Sequence, residues 1–173
     1  MLTLGSHRHV SALARLFNGA KKEVLKHDDI MPVVMACLSM GKQKVGALIV
    51  IEHNVPLDEV VRTGELIDAA INQRLIENIF FKNSPLHDGA MVISKKRIKA
   101  AGCILPVSHD LNIPKELGLR HRAAMGISQQ SDAHAIIVSE ETGGISVSLS
   151  RAILPSSERG RIGSLLTKGK LIL

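Results

Sequence analysis

The sequence predicts an α/β fold in which a central mixed β-sheet is flanked by helices. Short apolar runs rich in Val and Ile, typical of strands, alternate with segments in which apolar residues recur every three or four positions, typical of amphipathic helices. The 173 residues suit one domain and contain no internal repeat, low-complexity tract or linker. We therefore expect a single domain over 1–173, with its core at about 30–150.

The first elements are two helices and a buried strand. A helix over 9–26 is predicted from an apolar stripe made of Val10, Leu13, Ala14, Phe17 and Val24. A second helix over 30–40 is expected to lie between an N-cap at Asp28–Asp29 and a terminating glycine, Gly41. The run 45–51 is almost wholly apolar, which predicts a strand buried on both faces.

The second half of the chain predicts a hairpin and further alternation of helices with strands. Residues 53–70 read as a loop-rich stretch with one short strand, and a helix over 71–82 follows. The runs 90–94 and 98–105 predict a hairpin with a basic tip, Lys95-Lys96-Arg97. The remaining predictions are helices over 114–117, 120–129 and 158–168 and strands over 135–139 and 145–149.

The basic charge of the chain is concentrated at its two ends. Residues 1–26 and 151–173 each carry five basic residues against one acidic residue, whereas the rest holds 12 basic and 14 acidic residues. Such ends can simply aid solubility, or they can face an anionic membrane or nucleic acid. No apolar run reaches 18 residues, so no transmembrane span is predicted.

The composition also limits how the chain could hold a base. It contains three Phe, no Tyr and no Trp, so few aromatic side chains are present to stack on the bases of a nucleic acid. The two cysteines, Cys37 and Cys103, lie in apolar runs without metal-ligand spacing. They are expected to be buried free thiols, which fits a reducing cytoplasm.

A first candidate site is the turn His87-Asp88-Gly89-Ala90, at the junction of a predicted helix and strand. The glycine permits a positive φ and a close approach of the backbone to a ligand. The aspartate could orient or deprotonate a hydroxyl group, and the histidine could bind a metal. An ordinary Asp-Gly turn leading into a strand would look the same.

Two further turns could handle phosphates and a metal. In Gly118-Leu119-Arg120-His121-Arg122, backbone N–H groups at a helix start and two guanidinium groups suit an anion, although a solvated basic helix face is the alternative. The turn 139–144 follows a strand and offers the hydroxyl of Ser139 to phosphate and carboxylates to a divalent metal, although it could be a plain acidic turn. Together the three turns contain the groups that nucleotidyl transfer needs.

Several enzyme classes are disfavoured because their motifs are missing. The sequence has no Gly-x-x-x-x-Gly-Lys phosphate loop, no Gly-x-Gly-x-x-Gly run and no serine nucleophile elbow. These absences disfavour a P-loop ATPase, a Rossmann dehydrogenase and an α/β-hydrolase.

The paired motifs Asp88-Gly89-Ala90 and Arg120-His121-Arg122 resemble the DGA and RHR motifs of the diadenylate cyclase family. The similarity continues through 83–93, 115–127 and 136–146 and covers about 30–150 in order. It implies a central mixed sheet covered by helices, and two protomers that meet face to face with one ATP each. The expected reaction joins two ATP into cyclic di-AMP and two pyrophosphates.

The resemblance also implies a role for individual residues. Asp88 would activate the ribose 3′-hydroxyl, and Gly89 would let the backbone pass close to the nucleotide. The residues expected to hold phosphate are Arg120, His121, Arg122 and Ser139, with Gly118, Leu119 and Glu140 completing the nucleotide site. Ala90 and Leu105 would line the base pocket, and His87 and Glu141 would hold Mg²⁺ or Mn²⁺.

Two positions depart from the pattern of the family. Leu119 stands where many members have a threonine, so one hydroxyl contact to phosphate is missing. Ile104 stands where some members place a tyrosine against adenine. We expect weaker base stacking rather than loss of activity.

Among the classes of the family, the chain resembles the membrane-anchored type. That class implies an N-terminal membrane anchor, absent from this chain, with the basic ends near anionic lipid on the cytoplasmic face of a bacterial membrane. Protein regulators are compatible with this arrangement, whereas nucleic acid is not an expected partner.

Two other functions stay open at this point. A non-catalytic sensor of ATP or cyclic di-AMP would keep the phosphate-binding groups, but it would not need the carboxylate of Asp88. A basic nucleic-acid-binding module is disfavoured because aromatic residues are few and the positive charge lies at the termini.

Overall fold

A computed structural model of the chain describes residues 25–149 and 152–155. The helix predicted over 9–26 lies almost entirely outside these residues, and the one over 158–168 lies wholly outside them. Four helices are described, namely α1 (His27–Gln43), α2 (Asp58–Val61), α3 (Gln73–Ile79) and α4 (Leu119–Gln130). None of these helices is long and apolar enough to cross a bilayer.

Seven strands form one sheet in the order β2-β4-β3-β1-β5-β6-β7. They are β1 (Ala47–Ile51), β2 (Glu65–Ala70), β3 (Ala90–Ser94), β4 (Arg97–Cys103), β5 (His134–Val138), β6 (Ile145–Leu149) and β7 (Ala152–Pro155). The central strands β1 and β3 run parallel, and the other neighbouring pairs run antiparallel. The prediction of a mixed sheet is confirmed.

Helices cover both faces of this sheet. Alternate residues of a strand point to opposite faces, so Ile49 of β1 packs in the cluster with α1 and α3, while Leu48 and Val50 pack in the cluster with α2 and α4. All five residues of β1 are buried, as its apolar run predicts. The fold is therefore the predicted α/β arrangement of a central sheet flanked by helices.

Both predicted ends of the second helix were wrong. The N-cap is Lys26, whose backbone N–H donates to the carboxylate of Asp29 at 2.9 Å, so Asp29 acts from inside the first turn. Gly41 lies within α1, and the C-cap residue after the helix is Lys44, with a left-handed φ of 52°. A Cβ on Gly41 would lie 2.7 Å from the carbonyl oxygen of Gly143, so this glycine allows close packing rather than ending the helix.

Other boundaries also differ from the predictions. The helix predicted over 71–82 is the shorter α3, whose start is capped by Asn72 through the N–H groups of Arg74 and Leu75. The helix predicted over 114–117 is a turn, closed by the Leu117 N–H on the Pro114 carbonyl. The stretch 53–70 contains the expected strand, β2, together with α2, and β7 had not been predicted.

The predicted hairpin is confirmed in β3 and β4, with a shorter tip. Lys95 and Lys96 both have positive φ, 48° and 61°, as a two-residue hairpin turn requires. Arg97 already belongs to β4 and lies 2.8 Å from Asp68 of the neighbouring strand β2. That hydrogen bond and the charge of Arg97 lower the pKa of the Asp68 carboxyl.

Candidate active site

The turns singled out in the sequence lie around one end of the sheet. Asp88 and Gly89 come directly before β3, Leu105 follows β4, and Ser139 follows β5. This end carries the amino termini of the parallel strands β1 and β3 and the carboxyl termini of β4 and β5. The antiparallel pairings therefore bring turns that are distant in sequence to the same edge.

A cavity of about 260 Å³ opens at this edge. It is lined by Leu48, Asp88, Gly89, Gly102, Cys103, Ile104, Leu105 and Ala123. The lining is mostly aliphatic and carries one carboxylate. Leu105 lines the cavity, whereas Ala90 is fully buried in the core cluster beneath it. That Ala90 and Leu105 contact a base stays a prediction.

Gly89 allows the first motif to lie against β4. Its φ is 100°, a conformation that side chains rarely adopt, and a Cβ there would lie 2.7 Å from the Cys103 carbonyl oxygen. A glycine at this position thus brings Asp88 to the rim of the cavity. Its predicted close approach to a nucleotide stays a prediction.

The side chains of His87 and Asp88 lie beside each other at this rim. The carboxylate of Asp88 is 87% exposed, and its Oδ1 is 3.4 Å from Nε2 of His87. The other ring nitrogen of His87, Nδ1, is 2.7 Å from the Ser84 carbonyl, which can only accept a hydrogen bond. Nδ1 therefore donates this hydrogen bond, and Nε2 is the ring nitrogen that faces Asp88.

Helix α4 brings the second motif to the same edge. Gly118 is its N-cap, and Leu119 is its first residue, with 75% of its surface exposed. Arg120 lies one helical turn from Ala123, which lines the cavity, so the two share a helix face. Burial lowers the pKa of His121, so its imidazole is neutral at pH 7 and can donate from one nitrogen.

An ion pair joins the second motif to the third. Nη1 of Arg120 lies 3.1 Å from Oε2 of Glu140. The hydroxyl oxygen of Ser139 accepts the N–H groups of Glu141 and Thr142 at 3.3 and 3.2 Å, which shapes the turn and leaves its proton free to be donated. Arg122 stabilises the loop after β4 through its carbonyl, which accepts the Ser108 N–H at 3.0 Å.

The two residues predicted to hold a metal do not form a ready-made site. His87 lies on the Asp88 side, and Glu141 is exposed in the turn after β5. Among the described residues, no three His, Cys, Asp or Glu side chains come together in a way that could hold a metal ion. Mg²⁺ and Mn²⁺ are commonly bound by one or two protein ligands together with substrate phosphates and water, so this donor set fits a metal that arrives with nucleotide.

Several residues of the cavity were not predicted from the sequence. Leu48 and Ala123 read as ordinary core positions, because each belongs to an apolar face of a strand or helix. Cys103 was expected to be buried, and it is, but its place in the cavity wall was not expected. Gly102 offered a signal, since an isolated glycine in a strand indicates a close approach of another chain segment.

Comparison with known proteins places this geometry in a family. The model of the DAC family, described as DisA bacterial checkpoint controller nucleotide-binding, matches residues 34–153. The chain is 44% identical over 130 residues to the cyclic di-AMP synthase CdaA of Bacillus subtilis, covering 75% of this chain and 48% of that protein. It thus spans about half the length of the curated relatives that it matches first.

Solved structures show the same fold. The crystal structure of DacA from Staphylococcus aureus, a double cysteine mutant, superimposes with a TM-score of 0.80 at 43% identity and covers 82% of this chain and 95% of that one. A hypothetical membrane spanning protein from Bacillus cereus gives a TM-score of 0.70 at 40% identity, with 73% and 62% covered. The fold, the paired motifs and the family match agree, and the chain belongs to the DAC family of diadenylate cyclase domains.

Proposed function

We propose that this chain condenses two ATP molecules into cyclic di-AMP and two pyrophosphates, using two copies that face each other. The observation that carries the proposal is the cavity itself, which has an aliphatic wall, the carboxylate of Asp88 at its rim and the helix of Arg120 alongside. At about 260 Å³ it is smaller than the roughly 300 to 1,000 Å³ that enclose whole drug-sized ligands. It suits a base and sugar, with the phosphates outside.

The cavity wall supports an adenosine whose base lies between aliphatic side chains. Leu48, Leu105 and Ala123 supply apolar contacts, and Ile104 extends the wall into solvent with 71% of its surface exposed. The ribose would then lie near Asp88, and the phosphates would extend towards Arg120. Ser139 and the N–H groups at the start of α4 would add donors to the same phosphates.

The chemistry then follows from the residues at the rim. Asp88 accepts the proton of the ribose 3′-hydroxyl while that oxygen attacks the α-phosphate of the ATP held by the partner copy. A bond forms between the 3′-oxygen and the α-phosphorus, the bond from the α-phosphorus to the bridging oxygen breaks, and pyrophosphate leaves. The same step with the roles of the copies exchanged closes the ring.

The positive groups near the phosphates offset the charge that resists this attack. Arg120 and Arg122 would pair with phosphate oxygens, and His121 would donate a hydrogen bond. A Mg²⁺ or Mn²⁺ ion held by His87 and Glu141 together with phosphate oxygens would neutralise further charge. One copy alone could bind ATP, but it could not supply both reacting groups of each bond.

The location proposed for the enzyme is the cytoplasmic face of a bacterial membrane. The basic residues at both ends of the sequence suit anionic lipid, and one similar structure is titled a membrane spanning protein. Protein regulators of the enzyme are compatible with this location.

One incubation tests the proposed function. The chain is mixed with ATP and either Mg²⁺ or Mn²⁺, and the products are separated by chromatography. We expect cyclic di-AMP and pyrophosphate in a ratio of one to two. ATP binding without any cyclic product, with both metals, would instead support a nucleotide sensor.

A further inference from the structure

Gly46 lies directly beneath the guanidinium group of Arg120. It is buried between the end of α1 and the start of β1. A Cβ built on Gly46 would lie 2.5 Å from Nη1 of Arg120, 2.6 Å from Cζ and 3.0 Å from Nη2. The three nearest atoms thus all belong to the guanidinium, which occupies the space that a side chain would fill.

The backbone itself does not require glycine at this position. The glycines with positive φ in the described part of the chain are Gly89, Gly102 and Gly143, and Gly46 is not among them. Alanine could therefore adopt the local conformation. What excludes a Cβ is the side chain of Arg120, so the glycine is explained by the arginine.

Arg120 is held from a second direction. Its Nη1 lies 3.1 Å from the carboxylate of Glu140, and only 25% of its side chain is exposed. The planar guanidinium packs against the backbone of Gly46 and pairs with Glu140 through one nitrogen, so it has few alternative positions.

We propose that Gly46 is a positioning residue that seats the guanidinium of Arg120 at the depth where it meets the nucleotide phosphates. This inference rests on the proposed function, in which Arg120 binds phosphate. A methyl group at position 46 would lift the guanidinium from its seat and disturb its contact with Glu140. Arg120 would then reach the phosphates in a poorer geometry.

We expect Gly46→Ala to weaken ATP binding while leaving the stability of the fold unchanged. The atoms that must move are the far end of a flexible side chain, so the fold should remain intact. At Gly64, by contrast, a Cβ would lie 2.4 Å from the backbone carbonyl oxygen of Ala101, which cannot move freely. Gly64→Ala is therefore a matched control that should lower the melting temperature, whereas Gly46→Ala should not.

A double-mutant cycle tests the proposal. Gly46→Ala, Arg120→Lys and the double variant are compared with the wild type in ATP binding by calorimetry and in formation of cyclic product. Loss of a charge-assisted contact predicts that Gly46→Ala weakens ATP binding by on the order of ten- to a hundredfold. Arg120→Lys should add little in the Gly46→Ala background, because the arginine is already misplaced there.

Each other result overturns the inference. Gly46 does not act through Arg120 if Gly46→Ala binds ATP with wild-type affinity. The same holds if the losses of ATP affinity caused by Gly46→Ala and Arg120→Lys simply multiply in the double variant, or if Gly46→Ala lowers the melting temperature as much as Gly64→Ala does. The proposed function can fail while the role of Gly46 stands. This is the case if the wild type binds ATP but forms no cyclic product, and the effects of Gly46→Ala and Arg120→Lys on ATP binding remain coupled. A wild-type chain that binds no ATP would overturn both.

Discussion

At the scale of single residues, Asp88 combines exposure with a fixed neighbour. Its carboxylate is open to the cavity, and Nε2 of His87 lies 3.4 Å away. Asn has the same shape but cannot accept the proton of the 3′-hydroxyl. We expect Asp88→Asn to abolish cyclic di-AMP formation, with a loss of at least about a hundredfold, and to leave ATP binding within a few-fold of wild type.

Chromatography of the products and calorimetry with ATP check this expectation. Glu59→Gln serves as a control, because Glu59 is a surface acid of α2 that pairs with Arg62, the residue after this helix. Wild-type turnover in Asp88→Asn would show that the proposed role of Asp88 is wrong.

The two cysteines give a second prediction at this scale. Burial raises the pKa of Cys37 to about 12 and that of Cys103 to about 11, so both are protonated at pH 8. Both are also shielded from solvent. We expect neither to react with a thiol reagent in the folded chain and both to react once it is unfolded. Rapid labelling of Cys103 in the folded state would mean that the cavity wall opens.

At the scale of elements, the loop after β4 packs tightly across α4. A Cβ on Gly126 would lie 1.9 Å from the Pro106 carbonyl oxygen. Helix propensity favours alanine over glycine by about 1 kcal/mol. The close contact outweighs this preference, because both the helix and the loop meet through backbone atoms that cannot move aside like a flexible side chain. We expect Gly126→Ala to destabilise the fold by about 1–3 kcal/mol, measured by denaturant unfolding.

The same helix offers a control for this change. Gln129→Ala alters an exposed position of α4 and should change the free energy of unfolding by less than about 0.5 kcal/mol. A stable Gly126→Ala variant would mean that the loop can move away from α4 without cost.

A pair of histidines lies at the opposite end of the sheet from the cavity. Nε2 of His53 is 2.9 Å from Nδ1 of His134. Burial, with a smaller contribution from His53, lowers the pKa of His134 to about 4, although the negative charge of Asp132 acts in the opposite direction. In the unfolded chain the pKa is 6.5. Between these values the unfolded state binds more protons, so stability falls as pH drops from 6.5 to 4.

Melting temperatures across this pH range test the effect. We expect His134→Gln to show a shallower loss of stability than wild type between pH 6.5 and 4. The exposed His109→Gln is the matched control and should keep the wild-type slope. Equal slopes in the wild type and His134→Gln would contradict the assignment.

The parts of the fold that local sequence determines were predicted, and the parts that distant contacts determine were not. Strands β1, β3 and β5 follow from their Val and Ile runs, and the hairpin follows from its basic tip. The end of α1 was misplaced because Gly41 serves a contact with Gly143, far along the chain. No local pattern reveals such a contact.

The candidate site shows the same division. Charged residues beside glycine marked Asp88 and Arg120, because such residues are unusual next to apolar strands. The apolar wall was largely missed, since Leu48 and Ala123 are indistinguishable in sequence from the core. The seat at Gly46 was hidden for a similar reason, because it precedes a buried strand.

At the scale of the whole molecule, the proposed reaction needs two carboxylates, one from each copy. A pair made of one wild-type chain and one Asp88→Asn chain could form one bond and would release a linear dinucleotide. In an equilibrated equal mixture, about one quarter of the pairs are wild type on both sides. We expect cyclic product to fall with the square of the wild-type fraction while linear product appears.

Quantifying both products over a series of mixing ratios tests this arrangement. The total chain concentration is held constant, so that pairing itself does not change. A decline of cyclic product in simple proportion to the wild-type fraction would show that one Asp88 serves both bonds.

The aliphatic wall of the cavity has an optical consequence. The chain has no Trp and no Tyr, so its near-ultraviolet emission is almost silent. Ile104 stands at the mouth of the cavity, largely exposed, where a larger ring would meet little resistance. A single Ile104→Trp substitution would therefore place a lone tryptophan against an arriving base. Quenching of its fluorescence by stacking would report occupancy of the cavity against very little background.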